Sequence, residues 1–163
     1  MFDMNDKSKT NLEKGKYSSV YDCTLLDLPK LKTKRGHITP INNGGGIIPF
    51  SIKRVYYLYD IPGGEGRGAH AHKELEQLFV AVSGSFEVKV DDGTTKRTYS
   101  LSRPYYGLYL PPGLWRELDN FSSGATCLVL ASEKYDEKDY IHDHEVFKDY
   151  KANKFHKNNE VPE

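Results

Sequence analysis

Gly64-Glu65-Gly66-Arg67-Gly68-Ala69-His70-Ala71-His72-Lys73-Glu74-Leu75-Glu76 is the stretch that decides how this chain is read. In a β-strand, side chains at i and i+2 share a face, so His70 and His72 point the same way. A carboxylate that follows them, such as Glu76, can then converge on the pair. A polar cluster of this density inside a strand context has the geometry of a site.

Strands are expected on either side of it. Upstream, residues 48–59 are rich in β-branched and aromatic side chains and are bounded by Gly and Pro, which predicts a strand. Alternation puts Arg54, Tyr56 and Leu58 on one face and Lys53, Val55, Tyr57 and Tyr59 on the other. Residues 21–26 and 38–41 read as further strands, separated by the basic run Lys30, Lys32, Lys34 and Arg35. Downstream, strands are expected at 77–82, 85–90, 96–101, 107–110 and 125–131. Asp91-Asp92-Gly93 is a strong hairpin turn, and Pro111-Pro112-Gly113 a hard one. The spacing suits an antiparallel sandwich or barrel. Only the end reads as helical, from 137 to 153 with Asp136 as its cap, and His142-x-His144 falls there as a surface feature.

The chain has 163 residues, enough for one domain with an ordinary core. Residues 1–18 and 154–163 read as polar tails, leaving a domain at 19–153. Lys plus Arg and Asp plus Glu number 23 each, so no global field draws in nucleic acid or an anionic membrane, and local arginines must hold any anionic ligand. Cys23 and Cys127 lie far apart and read as reduced thiols. No apolar run reaches the roughly 18 to 20 residues of a membrane span. The polar start lacks a signal-peptide hydrophobic region, and the expected location is the cytoplasm.

The spacing Gly64-x5-His70-x-His72-x3-Glu76 resembles the first metal motif of the cupin superfamily, an all-β double-stranded β-helix of jelly-roll type. In metal cupins a second motif supplies another histidine. Here it reads Pro111-x-Gly113-x2-Arg116-x3-Asn120, with arginine in the ligand position. A guanidinium has no lone pair to donate and repels a divalent cation, so no metal is expected. Two histidines and a carboxylate still allow a facial triad for non-haem iron. Without a metal, paired histidines beside a tyrosine and arginines suit acid–base chemistry on an anionic substrate.

A closer resemblance rests on several blocks in order: Phe50-Ser-Ile-Lys-Arg-Val-Tyr-Tyr57, Arg67-Gly-Ala-His-Ala-His-Lys73, Gly107-Leu-Tyr109, Leu114-Trp-Arg-Glu117, and Leu128-Val-Leu-Ala-Ser132 leading to Tyr135-Asp-Glu-Lys-Asp-Tyr-Ile141. Over residues 20 to 150 the chain is similar to the TDP-4-keto-6-deoxyglucose 3,4-ketoisomerases, cupins that serve the making of 3-amino-3,6-dideoxy sugars for bacterial surface glycans. The resemblance implies a cupin barrel with a short C-terminal helix, a TDP-linked 4-keto-6-deoxy sugar as substrate, and no cofactor. It implies His70 as the base with His72 beside it, and Tyr56 passing protons between the sugar oxygens. Arg67 and Arg54 would hold the pyrophosphate, with Arg116, Arg35 and Lys73 as further substrate-binding positions. It also implies a homodimer, with the N-terminal strands exchanged in some members. Arg35 and Arg116 lie where the two product types, galacto and gluco at C4, diverge, and both outcomes stay open. The competing readings are a 3,5-epimerase of the same substrate, a metal-dependent cupin oxygenase and a silent sugar-nucleotide binding module.

Overall fold

The computed structural model describes residues 11–152. Its strands are β1 (Thr24–Asp27), β2 (Leu31–Thr33), β3 (Gly36–Ile38), β4 (Arg54–Leu58), β5 (Arg67–His72), β6 (Gln77–Ser83), β7 (Phe86–Asp91), β8 (Lys96–Leu101), β9 (Tyr106–Leu110), β10 (Trp115–Asp119), β11 (Thr126–Ala131) and β12 (Tyr140–Ile141). Two five-stranded antiparallel sheets, ordered β1-β9-β6-β11-β4 and β12-β5-β10-β7-β8, face each other as a cupin jelly roll. The hairpin β2–β3 joins neither sheet.

Between the sheets lies the main core, with Phe79 and Ala81 from β6, Phe86, Val88 and Val90 from β7, Leu118 from β10, and Cys127 and Val129 from β11. β6 is buried on both faces: Leu78 and Val80 look outward into a second cluster with Leu130, Leu28 and Ile48. The apolar stretch before β4 therefore does not extend the strand. Phe50 and Ile52 pack as a covering loop over the outer face of the first sheet, and pairing with β11 runs from Arg54 to Leu58. Full burial of such a side chain contributes about 1.5–3 kcal/mol and partial burial a share of that, so Phe50 and Ile52, with the buried Ile48, hold the cover without a strand ladder.

The second sheet is covered by α2 (His144–Ala152), whose Phe147 packs on Ala71, Trp115 and Ile141. Asp136 does act as a cap, but of a 3₁₀ turn over Glu137–Asp139, and β12 intervenes before the helix begins. The expected helix at 137–153 is thus shorter by two elements. The N-terminal stretch expected as a tail also contains structure, since Asn11–Tyr17 form a helix, α1. It is tied down by the buried Lys151, whose Nζ donates to the carbonyls of Gly15, Ser18 and Gly113 at 2.9, 2.7 and 3.0 Å. Residues 1–10 and the expected C-terminal tail lie outside the described residues. Among the described residues no helix is long and apolar enough to cross a membrane.

Candidate active site

β5 carries the decisive stretch. His72 is 4% exposed, and its Nε2 lies 3.1 Å from Nε2 of His70, the two rings meeting edge to face. The shared face expected from strand alternation is present. Arg67, three residues before His70, would fall on the opposite face of a regular strand. Gly68, at φ +70°, breaks the alternation: β10 pairs Arg116 with His70 but Leu118 with Arg67, so the bulge returns Arg67 to the side of His70. Glycine suits the position because the backbone is one that other residues rarely adopt and a Cβ would press on Nη1 of Arg116.

The expected carboxylate does not converge. Glu76 accepts the Tyr109 hydroxyl at 2.7 Å, and Tyr109 packs with the cluster outside the first sheet. Its place beside the histidines is taken by Asp139 from the 3₁₀ turn, whose Oδ2 is 3.1 Å from Nδ1 of His72. Asp139 is itself fixed by backbone N–H groups, Glu74 donating to Oδ1 at 2.8 Å and Leu75 to Oδ2 at 3.3 Å. With Glu76 turned away and a guanidinium at 116, these side chains do not fit a metal ion, and no group of three or more His, Cys, Asp or Glu residues is arranged to hold one among the described residues.

Arg116 lies beneath the histidines, 3% exposed, donating to Gln77 Oε1 at 3.3 Å and to the Gly68 carbonyl at 2.8 Å. Its donors fix the Gln77 amide, whose Nε2 then donates to the Tyr56 hydroxyl at 3.0 Å. Tyr56 reaches this network from β4, on the inward face shared with Arg54 and Leu58, and the Arg54 guanidinium stands 4.6 Å from its ring centroid. Tyr140, adjacent on β12, sits with its ring 4.8 Å from that of His70 and 4.3 Å from that of His72. A cavity of about 610 Å³ approaches from the His72 side, walled by Arg54, Tyr135, Asp139 and Tyr140; His70, Tyr56 and Arg67 are not among its walls.

Burial pushes both histidines well below the ordinary value, His70 further than His72; for each the Arg116 charge adds to the effect, and for His72 the bond to Asp139 opposes it. Both are neutral near pH 7, the state in which an imidazole accepts a proton. Burial pushes Asp139 upward, but its bonds to His72 and to the backbone N–H groups outweigh that and hold it below the usual carboxylate range.

Two of the expected substrate positions stand apart. Lys73 alternates away from His72, its Nζ donating to the Lys138 carbonyl at 3.2 Å. Arg35 is in the turn of the β2–β3 hairpin, its N–H bonded to Thr33 Oγ1.

Residues 21–152 match the FdtA family, described as WxcM-like, C-terminal. The chain belongs to this family. Over 128 residues, 78% of this chain and 91% of the relative, it is 45% identical to TDP-4-oxo-6-deoxy-alpha-D-glucose-3,4-oxoisomerase of Aneurinibacillus thermoaerophilus. Its structure resembles QdtA, a sugar 3,4-ketoisomerase from Thermoanaerobacterium thermosaccharolyticum in complex with TDP, with a TM-score of 0.80 at 37% identity, covering 84% of this chain and 99% of that one. It also resembles the WlaRB TDP-quinovose 3,4-ketoisomerase from Campylobacter jejuni, with a TM-score of 0.76 at 42% identity, covering 80% and 99%. Against this FdtA-family background, Gln77, Asp139 and Tyr140 are the site residues that the sequence reading missed. Asp139 and Tyr140 lie inside the quoted block Tyr135 to Ile141, where reading a helix hid the turn and strand that aim them inward.

Proposed function

We propose that this chain isomerises TDP-4-keto-6-deoxy-D-glucose to a TDP-3-keto-6-deoxyhexose. His70 takes the C3 proton, which the neighbouring ketone acidifies, and the electrons of the broken C–H bond form the enediolate. The proton then returns at C4 and leaves a ketone at C3. The observation that carries this reading is a neutral, half-buried His70 held 3.1 Å from His72, above an Arg116–Gln77 pair that bonds Tyr56, in a chain of the FdtA family. Positioned acid–base catalysis of this kind supplies about 10² to 10⁴ in rate. Fixed donors supply more. Tyr56 accepts from Gln77, so its own O–H proton is available to bridge the O3 and O4 oxygens.

Arg67 and Arg54 are the pyrophosphate ligands in this reading, since guanidinium forks match phosphate oxygens. Arg116 is buried with its donors turned to Gln77 and Gly68, so we assign it a fixed positive charge beneath the sugar. Lys73 and Arg35 stay as outer substrate contacts. A second copy of the chain is the proposed partner. Val55, Tyr57 and Tyr59 are 56%, 60% and 60% exposed, and Leu31 and Ile38 are exposed on the free hairpin. Exchange of β1 between copies would keep its pairing to a β9, here made within one chain. The product suits amino transfer to a 3-amino-3,6-dideoxy sugar in the cytoplasm, a compartment in keeping with two free buried thiols.

Proton NMR of the product tests the assignment. A 3-keto sugar with C5 unchanged is expected; inversion at C5 with the ketone still at C4 would replace this reading by 3,5-epimerisation.

A further inference from the structure

We propose that Asp139 is a positioning residue: by fixing the tautomer of His72 it makes Nδ1, not Nε2, the basic nitrogen of His70. The inference deepens the ketoisomerase reading and rests on it for the reaction, but not for the tautomers. The hydrogens follow from their partners. Oδ2 of Asp139 has only lone pairs, so Nδ1 of His72, 3.1 Å away, must carry its proton toward it. Neutral His72 then offers a lone pair at Nε2. The Nε2 of His70, 3.1 Å from that lone pair, must be the N–H donor. The lone pair of His70 is left on Nδ1, which has no hydrogen-bond partner among the described residues.

During turnover the C3–H bond breaks, the proton forms an N–H bond at His70 Nδ1, and the electron pair enters the enediolate. His70 is then an imidazolium whose Nε2–H points at His72, so the charge can be shared with His72 and faces the Asp139 carboxylate. When the enediolate collapses, the O3 hydroxyl proton passes to O4 through Tyr56, the Nδ1 proton passes to C4, the ketone forms at C3 and the starting arrangement returns. No outside acid or base is consumed. His72 and Asp139 need never touch the sugar, which separates their role from that of His70.

Asp139→Asn inverts this order with minimal change of shape. The shorter Glu74 N–H bond to Oδ1 keeps the amide oxygen in that position, so the NH₂ group occupies the Oδ2 position, gives up the longer 3.3 Å bond from the Leu75 N–H and faces His72. Nδ1 of His72 must then accept, its proton moves to Nε2, and His70 is forced to accept there and to carry its hydrogen on Nδ1.

The test is long-range ¹H–¹⁵N correlation on the free full-length enzyme with ¹⁵N-labelled histidine, alongside kinetics. In the unsubstituted enzyme His72 is expected as the Nδ1–H form and His70 as the Nε2–H form. In Asp139→Asn both tautomers invert and kcat falls about 10²- to 10⁴-fold, with KM within about threefold, as in other Asp–His pairs where the carboxylate sets the tautomer. An Nε2–H form of His72 in the unsubstituted enzyme overturns the proposal even if the variant fails to fold. So does an Asp139→Asn enzyme that keeps kcat within threefold. Failure of the unsubstituted enzyme to move the ketone would instead refute the ketoisomerase reading and leave the tautomer result standing.

Discussion

The chain contains two His-x-His sequences, and they end in different chemistry. His70 and His72 sit on one strand, share a face and touch, while burial and the charge of Arg116 keep both neutral. His142 and His144 straddle the end of β12 and the start of α2. His142 is exposed, bonded to Glu137 at 2.6 Å and stacked on Tyr140, whereas His144 turns inward to Asp91 at 2.9 Å and meets the edge of Trp115. Equal spacing in sequence therefore says little. Backbone period, burial and the nearest fixed charge decide whether two imidazoles form one unit or two.

The contrast breaks most sharply on turnover. His70→Asn is expected to lower kcat about 10²- to 10⁴-fold. The matching His142→Asn, at a ring 6.0 Å from that of His70, should stay within about threefold. Steady-state kinetics on the two variants check this, and equal losses would erase the distinction drawn between the pairs. Gly68→Ala attacks the bulge that aligns Arg67 with His70. A positive φ and a Cβ pressed on Arg116 should cost about 1–3 kcal/mol. Displacing the site by a fraction of an ångström should cut kcat/KM by up to about 10²-fold. Thermal unfolding and kinetics read the two effects separately. His144→Ala removes the Asp91 bond; with the imidazole about one-third exposed, the loss should be about 1 kcal/mol in stability with kcat unchanged.

The smallest effect is on pH. Free histidine titrates near ~6.5, and the folded pair lies below that value, so between pH 8 and 6 kcat/KM should hold level where an ordinary imidazole base would lose about fourfold. The unfolded chain binds protons at these two residues below about 6.5 and the folded chain does not. Their contribution to stability is thus intact above that pH and declines as pH falls beneath it. Melting temperatures measured from pH 7.5 down to 5 should decrease; a rise would mean that the folded pair is protonated.

Much of this was legible because it follows from local pattern. Apart from β10, the strands from Gln77 to Ala131 announce themselves by apolar runs and the Asp-Gly turn, and the inward face of Arg54, Tyr56 and Leu58 follows from alternation. β10 was hidden because Arg116 interrupts an apolar alternation, and a buried cation is intelligible only once Gln77 and Gly68 are seen beneath the histidines. Residues 48–53 looked like strand because covering loops and strands both need apolar side chains. Asp139 reaches His72 through a turn 67 residues away in sequence, and no local periodicity encodes that meeting. Lys151 is similar, because a buried lysine makes sense only with the carbonyls of Gly15, Ser18 and Gly113 around it.

The central claim is a proton transfer by His70 from C3 to C4. Its most direct test is incubation of TDP-4-keto-6-deoxyglucose in heavy water with the unsubstituted enzyme and with His70→Asn, followed by NMR of the sugar ring. The account predicts a 3-keto product with the first, its C4 bearing the proton taken from C3 or deuterium that has exchanged onto His70, and neither exchange nor ketone migration with the second. Deuterium entering at comparable rates with His70→Asn, or entering at C5, would contradict it.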